Sequence, residues 1–201
     1  MGFWDVFAPL YDLVGKMNRE AYDGMLNFIS ETVPDGSNIL ECAAGTGSIS
    51  IACAPGSGRI LCTDMSAKML KVAERKAERS GISNIEFREC DIYKIDEPDD
   101  SWDVVIAAQV IHLLDDPGKA VSELRRVATD MVIIPVGLLN ELSRGGRMKF
   151  RLFRLLGFRP KERFDEEGYK RFLTDLGLET AEITVFRGQI PLAVAVYRQP
   201  Q

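Results

Sequence analysis

Three acidic residues close three successive candidate strands: Glu41 follows Ile39-Leu40, Asp64 follows Ile60-Leu61-Cys62-Thr63, and Asp91 follows Ile85-Glu86-Phe87-Arg88-Glu89-Cys90. After Glu41 comes Cys42-Ala43-Ala44-Gly45-Thr46-Gly47, whose two close glycines let the backbone fold sharply and let a ligand approach it. A strand, a tight glycine turn and a helix start, in that order, mark where a nucleotide-like ligand meets the end of a parallel sheet. Asp64 lies roughly twenty residues further on, where such sites place a carboxylate for ribose hydroxyls. The glycines alone would suit any turn between strand and helix. Carboxylates at three consecutive strand ends would line one rim of one sheet, and that gives the glycines a function.

Glu41 selects among nucleotides. A carboxylate directly before the turn repels the pyrophosphate of NAD or FAD. Ser50 also stands where the G-x-G-x-x-G pattern has Gly or Ala for close helix packing. S-adenosylmethionine carries no phosphate, and its sulfonium and ammonium groups are attracted by a carboxylate. This reading displaces an NAD-dependent dehydrogenase, and it requires the Glu41 carboxylate to face the crevice rather than the core.

The ordered strings ILECAAGTGSIS, LCTDMSAKML, ECDIYKI, WDVVIAAQVIHLL and SELRRV resemble the class I S-adenosylmethionine-dependent methyltransferases. Within that family the resemblance is to the group containing quinone-biosynthesis and phosphatidylethanolamine-type methyltransferases. It implies an α/β fold: a doubly wound, seven-stranded, mostly parallel sheet of Rossmann-like type, its last strand antiparallel, with helices on both faces. It also implies methyl transfer from S-adenosylmethionine to a small-molecule or lipid-like acceptor. Tyr11, in the aromatic segment Phe3–Asp12, would fold over the crevice near the sulfonium, where an aromatic face attracts a cation. Asp91 would accept from the adenine amine, and Ile92 would cover the ring from the side opposite Met65. Ala107 or Ala108 would offer a carbonyl to the ammonium group, and Gln109 and His112 would face the acceptor. The cofactor set is therefore Tyr11, Glu41, Ala43, Ala44, Gly45, Gly47, Asp64, Met65, Asp91, Ile92, Ala107 and Gln109.

Two departures bear on this. Ala43 replaces a usual glycine; it is tolerated if its φ is negative, though it narrows the space beside the methionine moiety. Ala128-Thr129-Asp130 replaces the usual P-G-G, so the turn before strand five must be built differently. His112, the only histidine, has two readings: a hydrogen-bonded residue supporting a helix start, or a base that takes a proton from an acceptor hydroxyl or amine. Met65 could equally be a core methionine. A module that binds the cofactor without transferring methyl groups is the alternative from another functional class, and methylation of a macromolecule is a third.

The elements that position these residues follow from periodicity. An amphipathic helix is expected over 18–33, stopped by Pro34-Asp35-Gly36, and another over 46–54, whose first amides could hold the methionine carboxylate. A helix capped by Ser66 and closed by Gly81 follows strand two. Strand four covers 102–109, with Asp103 at the end away from the ligand. Pro117 opens a helix to Val127, strand five spans 131–136, and a helix over 166–176 precedes two strands at 179–186 and 192–197. Residues 96–101 read as a solvated acidic connection. A basic amphipathic segment, 137–164, could pack on the sheet, roof an acceptor pocket, or touch a membrane through 144–163.

Size and charge narrow the rest. A chain of 201 residues is most simply one domain, with 1–34 as an N-terminal helical lid. Its net charge of −5 argues against nucleic-acid binding as the main activity. Apolar runs fall short of the ~20 residues of a membrane span, and with no signal-peptide pattern the expected location is the cytoplasm. The four cysteines (Cys42, Cys53, Cys62 and Cys90) lack C-x-x-C spacing and read as reduced core residues; no metal is expected.

Overall fold

A computed structural model describes residues 18–155 and 157–200. The segment bearing Tyr11 lies outside them. Seven strands form one sheet: β1 (Ile39–Cys42), β2 (Ile60–Asp64), β3 (Ile85–Glu89), β4 (Trp102–Ala107), β5 (Ala128–Gly137), β6 (Glu182–Phe186) and β7 (Leu192–Arg198). Their order is β3-β2-β1-β4-β5-β7-β6. β1 to β5 are parallel, while β7 runs antiparallel to both β5 and β6. The central strands are apolar at nearly every position because helices cover both faces, which is why they read as runs rather than as alternation.

The described helices are α1 (Arg19–Thr32), α2 (Ser48–Cys53), α3 (Ala67–Arg79), α4 (Pro117–Val127), α5 (Arg144–Leu155) and α6 (Glu166–Asp175). On one face, Ala21, Met25 and Ile29 of α1 and Ile49 and Cys53 of α2 pack with Ile39, Ile60, Val104, Ile106 and Ile133. On the other, Val121 and Leu124 of α4 and Tyr169 and Leu173 of α6 pack with Leu40, Leu61, Val105 and Val132. The side chains alternate between layers as strand geometry requires. Local signals start the helices where they were expected. Ser66 accepts the Met69 amide, Asp116 the Lys119 amide ahead of Pro117, and Asp165 the Gly168 amide.

Two expectations are corrected. The described part of the N-terminal lid, α1, is a core helix, because Met25 and Ile29 are fully buried in the sheet layer. No turn precedes strand five: α4 ends at Val127 and β5 begins at Ala128. That abrupt junction is held by Gln199, whose amide side chain donates to the carbonyls of Arg125 and Ala128 and whose backbone N–H donates to Asp130. The connection 96–101 is solvated, as expected, and is anchored at several points. The Arg126 guanidinium donates to the carbonyls of Ile95 and Glu97 and to Asp99, and Glu97 also accepts from Trp102 and Arg88. Asp103 accepts the Asn38 amide at 2.7 Å and so joins the amino ends of β1 and β4.

Candidate functional site

In this strand order β1 lies between β2 and β4, so the connections leave in opposite directions and open a crevice at the carboxyl ends. The glycine turn sits there. Ala43, Gly45 and Gly47 all have positive φ, at 52°, 56° and 68°. The condition for an unstrained Ala43, a negative φ, is therefore not met: a left-handed alanine costs about 1–2 kcal/mol, and the turn carries that strain. Neighbouring bonds hold it in place. The Ala44 amide donates to Thr63 O at 2.8 Å, the Gly47 amide to Ala44 O at 3.0 Å, and the Thr63 hydroxyl to Glu41 O at 3.0 Å. A Cβ on Gly47 would lie 2.8 Å from the Cβ of Ala73, so that glycine serves the packing of the turn on α3.

Asp64 ties this turn to β2. One carboxylate oxygen accepts the Gly45 amide and the other the Ser66 amide, each at 2.8 Å. A carboxylate has about four acceptor sites, so these two bonds by themselves do not fill it. Met65, beside it, is 72% exposed, which settles its reading against a core methionine. Asp91 is exposed and accepts the Tyr93 amide at 2.9 Å. Ile92 is buried in the core layer with Leu40 and Leu61, so most of its side chain faces the sheet rather than an open cleft. Ala44 is half-buried against Cys62 and Leu70, and Ala107 is fully buried opposite Cys42 in the β1–β4 pair.

Glu41 does not meet the requirement set for it. It is 1% exposed, and Oε2 accepts both the amide and the hydroxyl of Ser50, at 2.8 and 2.5 Å. Burial pushes its carboxyl up to about 7, against the lowering effect of Ser50. The residue anchors α2 under the glycine turn instead of lining the crevice. It also takes an amide of α2, a helix of only six residues, that was expected to be open to a carboxylate ligand. Lys76 of α3 was missed in the sequence, although it lies on a helix face: its ammonium donates to the hydroxyls of Thr46 at 3.3 Å and Ser48 at 3.0 Å, beside the turn.

Beyond β4 the crevice changes character. Gln109 has φ of 56° and donates its amide to Pro135 O at 2.8 Å, while its side-chain Nε2 is buried without a partner among the described residues. His112 is 3% exposed, and its Nδ1 is likewise buried and unpartnered among the described residues. Its backbone carbonyl, not its ring, makes the supporting bonds, accepting from Lys161 and Glu162. Burial lowers the imidazolium to about 4, so the ring is neutral at neutral pH and holds a proton poorly. Neither reading of His112 stands as expected, since the ring is no helix support and too weak a base near pH 7. Phe158 meets it edge-on at 6.4 Å and packs in turn on Phe150 of α5 at 6.3 Å. The basic segment thus packs against the residues that follow β4.

The cysteines are free, with Cys42, Cys53 and Cys62 buried, and burial raises all four thiols. Among the described residues no group of three His, Cys, Asp or Glu side chains could hold a metal ion. Nor is any described helix long and apolar enough to cross a membrane.

This sheet order, with a glycine turn at the reversal and carboxylates on the next two strand ends, defines an α/β domain that binds a nucleotide-like cofactor. Residues 39–130 match the methyltransferase domain family. The chain is 36% identical over 110 residues to a ubiquinone/menaquinone biosynthesis C-methyltransferase of Bdellovibrio bacteriovorus, covering 52% of this chain and 46% of that protein. It is 34% identical over 95 residues to a phosphatidylethanolamine N-methyltransferase of Cereibacter sphaeroides, covering 46% and 45%. The chain spans about half the length of these curated relatives. Its fold is that of magnesium protoporphyrin IX methyltransferase from Synechocystis, solved with bound S-adenosylhomocysteine: the TM-score is 0.69 at 18% identity, over 93% of this chain and 87% of that one.

Proposed function

We propose that this chain transfers a methyl group from S-adenosylmethionine to a small-molecule or lipid-like acceptor. The observation that carries the reading is the Asp64 bridge at the switch point, joined to the family match over the same residues. The residues present fit the cofactor. Asp64 offers carboxylate oxygens to the ribose hydroxyls, exposed Met65 offers adenine an apolar face, and Asp91 offers an acceptor to the exocyclic amine. Gly45 leaves the backbone bare beneath the methionine moiety, Lys76 supplies a cation near its carboxylate, and Ala107 supplies a carbonyl toward its ammonium. Tyr11 enters on the sequence resemblance alone. Glu41 acts by holding the turn.

When bound, the cofactor supplies an electrophilic methyl carbon: an acceptor atom bonds to it, the C–S electron pair stays on sulfur, and the acceptor's proton leaves. The protein's task is then to hold the acceptor in line and close. Gln109 Nε2 is an unsatisfied donor, which favours a group on the acceptor that can accept a hydrogen bond. Neutral His112 takes part as a hydrogen-bonding ring, so the released proton passes to solvent. Two observations support an apolar acceptor body: a Cβ on Gly137 would meet Ile190 and Leu139 as well as Gln109, so apolar side chains stand beside that amide, and the relatives named above are a quinone-biosynthesis and a phosphatidylethanolamine methyltransferase. A binding module without transferase activity is the second reading, favoured by the left-handed Ala43, whose methyl narrows the methionine end.

Calorimetry with S-adenosylmethionine on the wild type and Asp64→Asn tests the first reading. Losing charge-assisted bonds to the ribose should weaken binding at least about tenfold; undiminished affinity removes Asp64 from that role. Transfer of labelled methyl to any of a panel of quinones, phenols, amines and aminophospholipids separates the two readings.

A further inference from the structure

α5 carries two apolar faces. Gly146, Phe150 and Phe153 recur at i, i+4 and i+7 and face inward, with Gly146 and Phe150 buried. Met148, Leu152 and Leu155 recur at the same spacing on the opposite side, and they are 72%, 52% and 85% exposed. These three and Met65 are the exposed large apolar side chains among the described residues. Basic residues flank the outer stripe, Arg144 and Arg151 along one edge and Lys149 along the other. Among the described residues no carboxylate pairs with Arg144, Arg151 or Arg154. Residues 144–163 hold eight basic residues against Glu162 alone, a local charge of +7, while the rest of the chain carries −12.

We infer that this outer face of α5 seats on the surface of an anionic phospholipid bilayer, with Met148, Leu152 and Leu155 in the interfacial region and the flanking cations on lipid phosphates. A stripe of three apolar side chains edged by cations whose stems can snorkel is the composition of a helix lying in the interface plane. Concentrating +7 on one segment of an otherwise acidic chain orients that segment, and no other, toward a negative surface. The alternatives fit less well. A second copy meeting this face symmetrically would bring the two cationic stripes together, and three side chains on one short helix fall far below the ~800 Å² per partner of a stable interface. A nucleic acid would use the cations but gain nothing from exposed Leu152 and Leu155, which offer no ring for a base to stack on. The inference does not rest on methyl transfer. It would place the crevice mouth, through Phe150, Phe158 and His112, on the lipid side of the molecule.

The full chain is spun with phosphatidylglycerol–phosphatidylcholine vesicles and with phosphatidylcholine vesicles, at low and high salt, without cofactor or acceptor. The wild type should pellet with the anionic vesicles only, less at high salt. Arg151→Glu should weaken binding at least about tenfold, at roughly fivefold per charge. Met148→Glu with Leu152→Glu should abolish it. These positions point into solvent, and an unchanged circular dichroism spectrum confirms that the variants fold. Wild type that stays in the supernatant overturns the inference, as do glutamate variants that pellet as the wild type does. A dimer in sedimentation velocity that the glutamate pair dissolves, or RNA binding that Met148→Glu with Leu152→Glu weakens while leaving vesicle binding intact, would assign the face to another occupant and also overturn it.

Discussion

Replacing Glu41 with glutamine isolates one buried proton. Burial raises the Glu41 carboxyl from 4.5 to about 7, so across that window the folded chain keeps a proton that the unfolded chain has released. Folding therefore becomes less favourable as pH rises through the window, by up to about 1.4 kcal/mol per pH unit and about 3 kcal/mol in all, with no further loss above it. His112 acts in the opposite sense. Its imidazolium falls from 6.5 to about 4, so on acidification the unfolded chain binds a proton that the folded chain refuses. Stability is then lost as pH drops through that range, again by about 3 kcal/mol. Between the two ordinary values the slopes oppose each other, and the wild type is nearly flat as far as these groups decide. Glutamine cannot titrate, yet its carbonyl oxygen can still accept from Ser50. Urea unfolding followed by circular dichroism, from about pH 4 to pH 8, should show Glu41→Gln gaining on the wild type by about 3 kcal/mol across the window and then holding level. The variant's own curve should expose the His112 slope, rising with pH. A difference between the two proteins that does not change with pH refutes the claim that Glu41 folds into the core with its proton.

Two further substitutions test the glycine placements. Gly47→Ala and Gly81→Ala both put a methyl at φ near +70°, but only the first meets Ala73, the second facing open space. Gly47→Ala should cost about 1–3 kcal/mol more in urea unfolding, partly recovered by Ala73→Gly; equal costs would mean the close approach does not exist. Gly146→Ala would drive a Cβ into the Gln189 carbonyl and lift α5 off its seat. Faster tryptic cleavage within 144–154, with little change in global Tm, is the expected readout.

The motifs that were legible in the sequence are those whose physics is local. Glycines that must take positive φ, a cap such as Ser66, and apolar runs bounded by breakers depend on a few neighbouring residues, so the element order and the turn at Gly45 and Gly47 could be read directly. Side-chain direction could not. Glu41 stands in the expected place, but whether it faces ligand or core depends on Ser50, nine residues later, offering it two donors. Ala128 begins a strand instead of a turn because Gln199, at the far end of the chain, satisfies the carbonyls that a turn would have left open.

The sequence by itself therefore determined the order of elements and the turn at Gly45 and Gly47, because short-range periodicity and backbone conformation encode them, while the fold class and the cofactor came with the family resemblance. Only the tertiary structure decided that His112 is too dry to hold a proton near neutral pH, that Lys76 reaches the glycine turn, and that α5 shows a greasy stripe to the outside. Burial, reach and exposure are set by segments far apart in the chain, and no spacing of residue types carries that information.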